Sequence, residues 1–214
     1  MMLNTDLLIN ALTTLLVTID PPGLAPIFLS LTVGMTRSQR MQVALRGTLI
    51  ALFILAAFAL FGESILSLLG ISIGAFRIAG GVLLFVIAFE MIFEKRQERK
   101  EKTGEVAITR DHMHNIAVFP LALPLIAGPG AISATILLSG SFDGAAGRAQ
   151  LLIVIVASLA ILLAAMAVAD RLDRFLGVTG RAILTRLLGV ILAALAVQFV
   201  VDGVRASFTP YIGP

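Results

Sequence analysis

Cysteine is absent from the 214 residues, and charge is scarce, with Asp, Glu, Lys and Arg making up 14% of the chain. The first absence excludes disulfides, thiolate nucleophiles and cysteine metal sites. The second excludes an ordinary soluble domain, in which roughly a quarter of the residues are charged. Apolar residues fill the gap, at 58% of the chain and a mean hydropathy of +1.02. A soluble helical protein keeps polar faces at helical spacing, yet residues 47–62, 78–89 and 151–169 carry no charge anywhere around the helix.

Enzyme signatures are missing as well. The chain has no nucleophile elbow, phosphate loop or dinucleotide fingerprint, and it offers no nucleophile paired with a base, so it is not expected to be an enzyme. Its two histidines, His112 and His114 in D-H-M-H, have no further metal ligands nearby, so neither a metal nor a resident cofactor is expected. The first residues, M-M-L-N-T-D, lack the basic start of a signal peptide, and the apolar run after them is too long for a signal core; it is expected to remain as a membrane span. A pI near 10 would suit a nucleic-acid binder, but the basic residues fall in short segments between apolar runs. That placement points to a lipid bilayer as the partner and not to nucleic acid.

A spanning helix needs about 20 mostly apolar residues. Six segments qualify: 6–32, 44–66, 72–93, 115–139, 150–170 and 183–203. No barrel pattern is present, so an all-α membrane protein is predicted. Three of the connecting segments hold most of the cations: Arg37, Arg40 and Arg46; Lys95, Arg96, Arg99, Lys100, Lys102 and Arg110; and Arg171, Arg174, Arg181 and Arg186. Only Arg77, Arg148 and Arg205 fall on the other side, so the positive-inside rule places the three basic segments in the cytoplasm and both termini outside.

The charged stretch 94–114 divides the chain into units at 1–93 and 115–214, and the two units resemble each other. A shift of 107 residues lays Pro22-Gly23 on Pro129-Gly130, Glu63 on Asp170, and Leu68-Leu69-Gly70 on Phe175-Leu176-Gly177. A shift of 109 lays Arg77 on Arg186. Ordered matches at nearly constant spacing indicate a repeat. A unit of three spans begins its second copy on the opposite face of the membrane, so two inverted three-helix repeats are predicted. Inverted repeats with broken helices in matching positions are a pattern of secondary transporters, whose binding site lies at the breaks.

The breaks are D-P-P-G-L-A-P at 20–26 and A-G-P-G-A-I at 127–132, the second preceded by Pro120 and Pro124. Asp20 suits an N-cap and Pro21 the first helical position, and Pro26 lacks the N–H that would bond Pro22, so backbone groups are expected to be free around 19–25. In span 4, Gly128 and Pro129 reopen the helix. Both spans, 1 and 4, are therefore expected to be discontinuous, and both second half-helices start near the midplane, each with about +0.5 charge at its N-terminus. An acid beside two such ends suits a small zwitterion: ammonium to Asp20, carboxylate to the N–H groups of Gly23, Leu24, Gly130 and Ala131. Gly23, Ala25, Gly128 and Gly130 give room for close approach, and Thr14, Thr18 and Ser133 lie near enough to add hydroxyls. Asp20 is also the candidate for holding a coupling proton or sodium ion, because a lone carboxylate at mid-bilayer costs roughly 2.5–3.5 kcal/mol. Arg77 and Arg186 are candidate gates with Glu63 and Asp170, while Glu90 and Gln198 are polar groups with no assigned partner.

The motifs D-P-P-G-L-A-P-I-F at 20–28, P-L-A-L-P-L-I-A-G-P-G-A-I at 120–132 and R-I-A-G-G at 77–81 resemble those of the MarC family of bacterial and archaeal inner-membrane proteins. The resemblance covers nearly the whole chain. It implies six spans, kinship with amino acid exporters of the LysE type, and likeness to members described as neutral amino acid transporters. The function expected is a proton- or sodium-coupled secondary transporter of small neutral amino acids in the inner membrane. The alternative is a passive small-solute channel or an exporter of other small metabolites. A homo-oligomer is compatible with either.

Overall fold

The computed structural model describes residues 5–93, 95 and 116–208, and among these all regular structure is helical. Apart from Lys95, the charged connector 94–114 with both histidines lies outside the described residues. The helices are α1 (Thr5–Ile19), α2 (Pro21–Leu31), α3 (Arg37–Leu68), α4 (Ile73–Ile92), α5 (Ala117–Ile126), α6 (Pro129–Ser139), α7 (Gly144–Ala167) and α8 (Ala169–Phe208).

Local chemistry sets most of these limits. At the N-terminus of α3, Gln39 N donates to Thr36 Oγ1 at 3.3 Å and Thr36 N donates back to Gln39 Oε1 at 2.8 Å, forming a capping box. The helix therefore starts at residue 37 instead of 44, and Arg37, Arg40 and Arg46 ride on its first turns instead of in a loop. Its C-terminus closes on Gly70 at φ 69°, with Ile71 N donating to Leu66 O at 2.9 Å and Gly70 N to Ser67 O at 3.0 Å. Glycine suits the left-handed position that such a cap requires. Ser72 then caps α4, its Oγ accepting from Ala75 N at 3.1 Å. Residue 169 begins α8, well ahead of the expected 183, and the helix is interrupted at Gly177 by φ 58°.

Five helical stretches are long and apolar enough to cross a membrane, counting α1 and α2 as one, and the α5–α6 pair, bent by 56°, makes a sixth if it is one crossing. Span 1 is the most enclosed: 67% of its apolar window is buried, against 22% to 39% for the four other long helices. Most of α6 is buried too. The two interrupted segments thus sit innermost, surrounded by α3, α4, α7 and α8.

The packing partners come in exchangeable pairs. α1 lies against α7 as α5 lies against α3, α2 against α7 as α6 against α3, and α2 against α8 as α6 against α4. The other broad contacts are α3 with α7 and α4 with α8, while α1 also lies against α6 and α8 without an exchanged counterpart. The α4–α8 crossing is antiparallel and depends on matched glycines. A Cβ on Gly81 would lie 2.8 Å from Ala196 O and 3.0 Å from Val200 N; one on Gly189 would lie 3.0 Å from Met91 Cβ and 3.1 Å from Ala88 O. Small residues let helix backbones approach, which is where helix association in lipid draws its van der Waals energy. Gly81→Ala should therefore overpack the crossing by about 1–3 kcal/mol and lower the melting midpoint in detergent by several degrees. Gly180→Ala, whose added carbon meets only the Leu176 side chain, at 3.6 and 3.9 Å, should melt like the parent; equal midpoints for the two variants would contradict this packing account.

Candidate functional site

Between α1 and α2 the chain turns on one residue. Asp20 has φ 61° and ψ 66°, a left-handed conformation that Asp tolerates better than most non-glycine residues. Its Oδ1 accepts from Gly23 N at 3.1 Å, and its carbonyl oxygen accepts from Leu24 N at 3.0 Å. A Cβ on Gly23 would run into the Asp20 carboxylate, so the cap needs glycine there. Pro21 occupies the first helical position. The N-cap and proline roles are those read from the sequence, but the interruption is narrower. Asp20 N still donates to Leu16 O at 2.9 Å, and α2 runs through Pro26 without ending. The backbone is therefore not open across 19–25, and the N–H groups of Gly23 and Leu24 are engaged by Asp20 itself.

The second interruption is wider. Pro120 and Pro124 lack N–H groups, and Phe119 and Leu123 hold extended backbone angles, with cis peptides at Phe119-Pro120 and Leu123-Pro124. The chain between takes looser bonds five residues apart, Leu121 N to Ile116 O at 3.1 Å and Ala127 N to Ala122 O at 2.9 Å. Gly128 then caps α6 with no side-chain acceptor, and Pro129 follows as the first helical residue. A Cβ on Gly128 would strike the carbonyl oxygen of Pro124. A helix start without a cap leaves its first-turn donors unmet; here these are the N–H groups of Gly130 and Ala131, both on buried residues.

The two interruptions adjoin. A Cβ on Gly130 would meet Thr18 Cγ2 at 3.4 Å and would press on Ile87 of α4. Thr18 is two residues before Asp20, which is 1% exposed. The start of α6 is therefore wedged between the end of α1 and α4. The hydroxyl protons nearby are committed along their own helix: Thr18 Oγ1 donates to Thr14 O at 2.6 Å and Thr14 Oγ1 to Asn10 O at 2.8 Å. Ser133 is half-buried, and Ala127, which the repeat aligns with Asp20, is fully buried.

Charged groups occupy the two ends of the bundle. Where α3 ends and α4 begins, Arg77 Nη2 donates to Gly140 O at 3.1 Å, holding a cation against the C-terminus of α6, as the helix dipole favours. Glu63 reaches the same residue: a Cβ on Gly140 would lie 3.4 Å from Glu63 Oε1. At the opposite end Asp170 pairs with Arg40 at 3.3 Å, joining α3 to α8. The sequence does not single out Arg40 as a gating residue, because only the tertiary fold bridges the 130 residues between the partners. Arg186 lies on α8 one turn before Gly189. Gln198 Nε2 donates to Asp202 Oδ1 at 2.9 Å, and Glu90 is half-buried on α4. Among the described residues no three His, Asp or Glu side chains gather where they could hold a metal ion.

The sequence matches the model of MarC family integral membrane proteins over residues 5–208. It is 40% identical over 193 residues to a UPF0056 membrane protein of Methanocaldococcus jannaschii, covering 88% of this chain and 91% of that one. It is 37% identical over 190 residues to the UPF0056 membrane protein YhcE of Escherichia coli, covering 89% and 88%. It is 35% identical over 189 residues to the UPF0056 membrane protein YvbG of Bacillus subtilis, covering 88% and 90%. No solved structure matches.

The cap geometry separates the charge of Asp20 from its architecture. Asn caps helices as well as Asp and also tolerates left-handed angles, so Asp20→Asn should melt within about 0.5 kcal/mol of the parent. Asp20→Ala loses both properties and should cost about 1–3 kcal/mol. Thermal unfolding in detergent reads the difference.

Proposed function

The chain belongs to the MarC family of integral membrane proteins, a multi-pass family of bacteria and archaea, and from that premise we propose that it is a secondary transporter of small neutral amino acids coupled to protons or sodium. The observation that carries this reading is the meeting of Gly130, at the uncapped start of α6, with Thr18, two residues before the buried Asp20. A zwitterion placed there has its carboxylate on the N–H groups of Gly130 and Ala131, where the α6 dipole adds positive potential. Its ammonium group is held by Asp20. Gly23 and Leu24 act as the wall that keeps Asp20 in position, and Ser133 is the hydroxyl within reach of α6's first turns. Asp20 also carries the coupling ion, since a carboxylate enclosed by protein and lipid gains most from a proton or a cation.

The proposed architecture is two inverted three-span repeats with spans 1 and 4 discontinuous. Its supports are the helix partnerships that exchange between the two units, and the antiparallel crossing of α4 with α8, where Gly81 and Gly189 allow close approach. The basic segments give an orientation with both termini outside the cytoplasmic membrane. On this reading Arg77 with Glu63 closes the outer end and Arg40 with Asp170 the inner end, with Arg186 the repeat counterpart of Arg77. No enzymatic step and no resident cofactor enters the proposal.

In proteoliposomes, ion-driven uptake of glycine or alanine should fall by roughly tenfold to a hundredfold in Asp20→Asn, as expected for removing a charged hydrogen-bond partner. Undiminished coupled flux in a variant that inserts and melts normally would refute the role of Asp20. Saturable counterflow in the parent distinguishes this carrier from a passive pore, in which flux would not saturate.

A further inference from the structure

At the end of the bundle where α2 stops and α3 starts lies a cavity of about 300 Å³ that is apart from the Asp20 site and whose lining includes the Arg40–Asp170 pair. Its floor is soft and apolar, including Phe28, Met41 and Met166, and its rim carries Arg37, Arg40 and Asp170. Methionine side chains adapt to irregular apolar shapes, so such a floor accepts a flexible hydrocarbon better than a rigid ring.

The rim is unbalanced in charge. Two guanidinium groups face one carboxylate, and among the described residues the ion pair here is Arg40 with Asp170. Arg40 makes that pair through Nη1, at 3.3 and 3.4 Å from the two carboxylate oxygens, and its buried Nε donor has no partner among the described residues. Arg37 is exposed and brings its whole guanidinium fork. Planar guanidinium groups bind carboxylate and phosphate oxygens in pairs. The side chain of Asp170 is 63% exposed, so its hold on Arg40 is weak and open to competition.

We propose that this cavity binds an amphiphilic anion, with one carboxylate or phosphate group on Arg37 and Arg40 and its apolar portion on the methionine floor. The volume is at the lower end of small-molecule sites, enough for a short chain or the glycerol-phosphate end of a lipid. Two sources supply this chemistry, an acidic phospholipid of the surrounding leaflet or a free short-chain carboxylate. The site is separate from the one containing Asp20 and does not rest on the transport reading.

The test uses the full chain in nanodiscs of phosphatidylcholine, with binding followed by thermal shift and native mass spectrometry. Phosphatidylglycerol or decanoate should raise the melting midpoint, whereas added phosphatidylcholine and decanol should not. Arg37→Gln leaves the ion pair intact and should weaken binding about tenfold, the loss of one charge-assisted contact. Asp170→Asn removes the competing carboxylate and should tighten binding, and Met41→Trp should block it by filling the floor. A response to phosphatidylglycerol alone makes the occupant a lipid; a response to decanoate alone makes it a free solute. Equal binding by the parent and Arg37→Gln, or no response to either anion, overturns the proposal. Asp20→Asn should bind like the parent, so failure here is distinguishable from failure of the transport reading.

Discussion

A peptide group that loses its helical partner inside a bilayer has no water to replace it, and the centre of this bundle is shaped by how the chain meets that demand. At residue 20 it is met almost completely: the Asp20 side chain takes the donor of Gly23, its carbonyl takes that of Leu24, and only the direction of the backbone changes. Between 117 and 127 it is met by loosening, with bonds five residues apart stretched around two prolines. At the start of α6 it is left to something other than a cap, because Gly128 has no side chain to supply one. The first turn supplies its own acceptors, and the second has no side-chain cap.

How much of this was legible in the sequence depended on distance along the chain. Asp20 as a cap and Pro21 as the first helical residue were readable, because both effects act within three residues. The extent of the opening was not, since Pro26 removes one hydrogen bond and the enclosing helices hold α2 together regardless. The start of α3 was readable in principle from T-R-S-Q at 36–39, a capping-box pattern hidden by the neighbouring arginines, which look like loop. The pairing of Asp170 with Arg40 was beyond reach, because local spacing says nothing about partners 130 residues apart. The adjacency of Gly130 and Thr18 has the same character: the repeat indicated that the two breaks correspond, and only packing brings them together.

The helix partnerships bear on how such a molecule moves. Helices that follow one another in sequence touch little, as α3 with α4 and α7 with α8 illustrate, while the broad contacts cross from one unit to the other. On the transport reading proposed above, the moving bodies would draw helices from both units. The innermost segments, α1–α2 and α5–α6, form one natural group, and α3, α4, α7 and α8 form the frame around it.

The glycine-lined crossing of α4 with α8 also has a meaning for biosynthesis. α4 is the third span to leave the ribosome and α8 the last, so the closest-packed seam of the mature molecule joins segments made far apart in time. Until the final helix enters the bilayer, the notched face of α4 has only lipid against it, and the unfinished half holds no core of its own. The nascent chain therefore closes its tightest seam last, after the contacts among the earlier helices have formed.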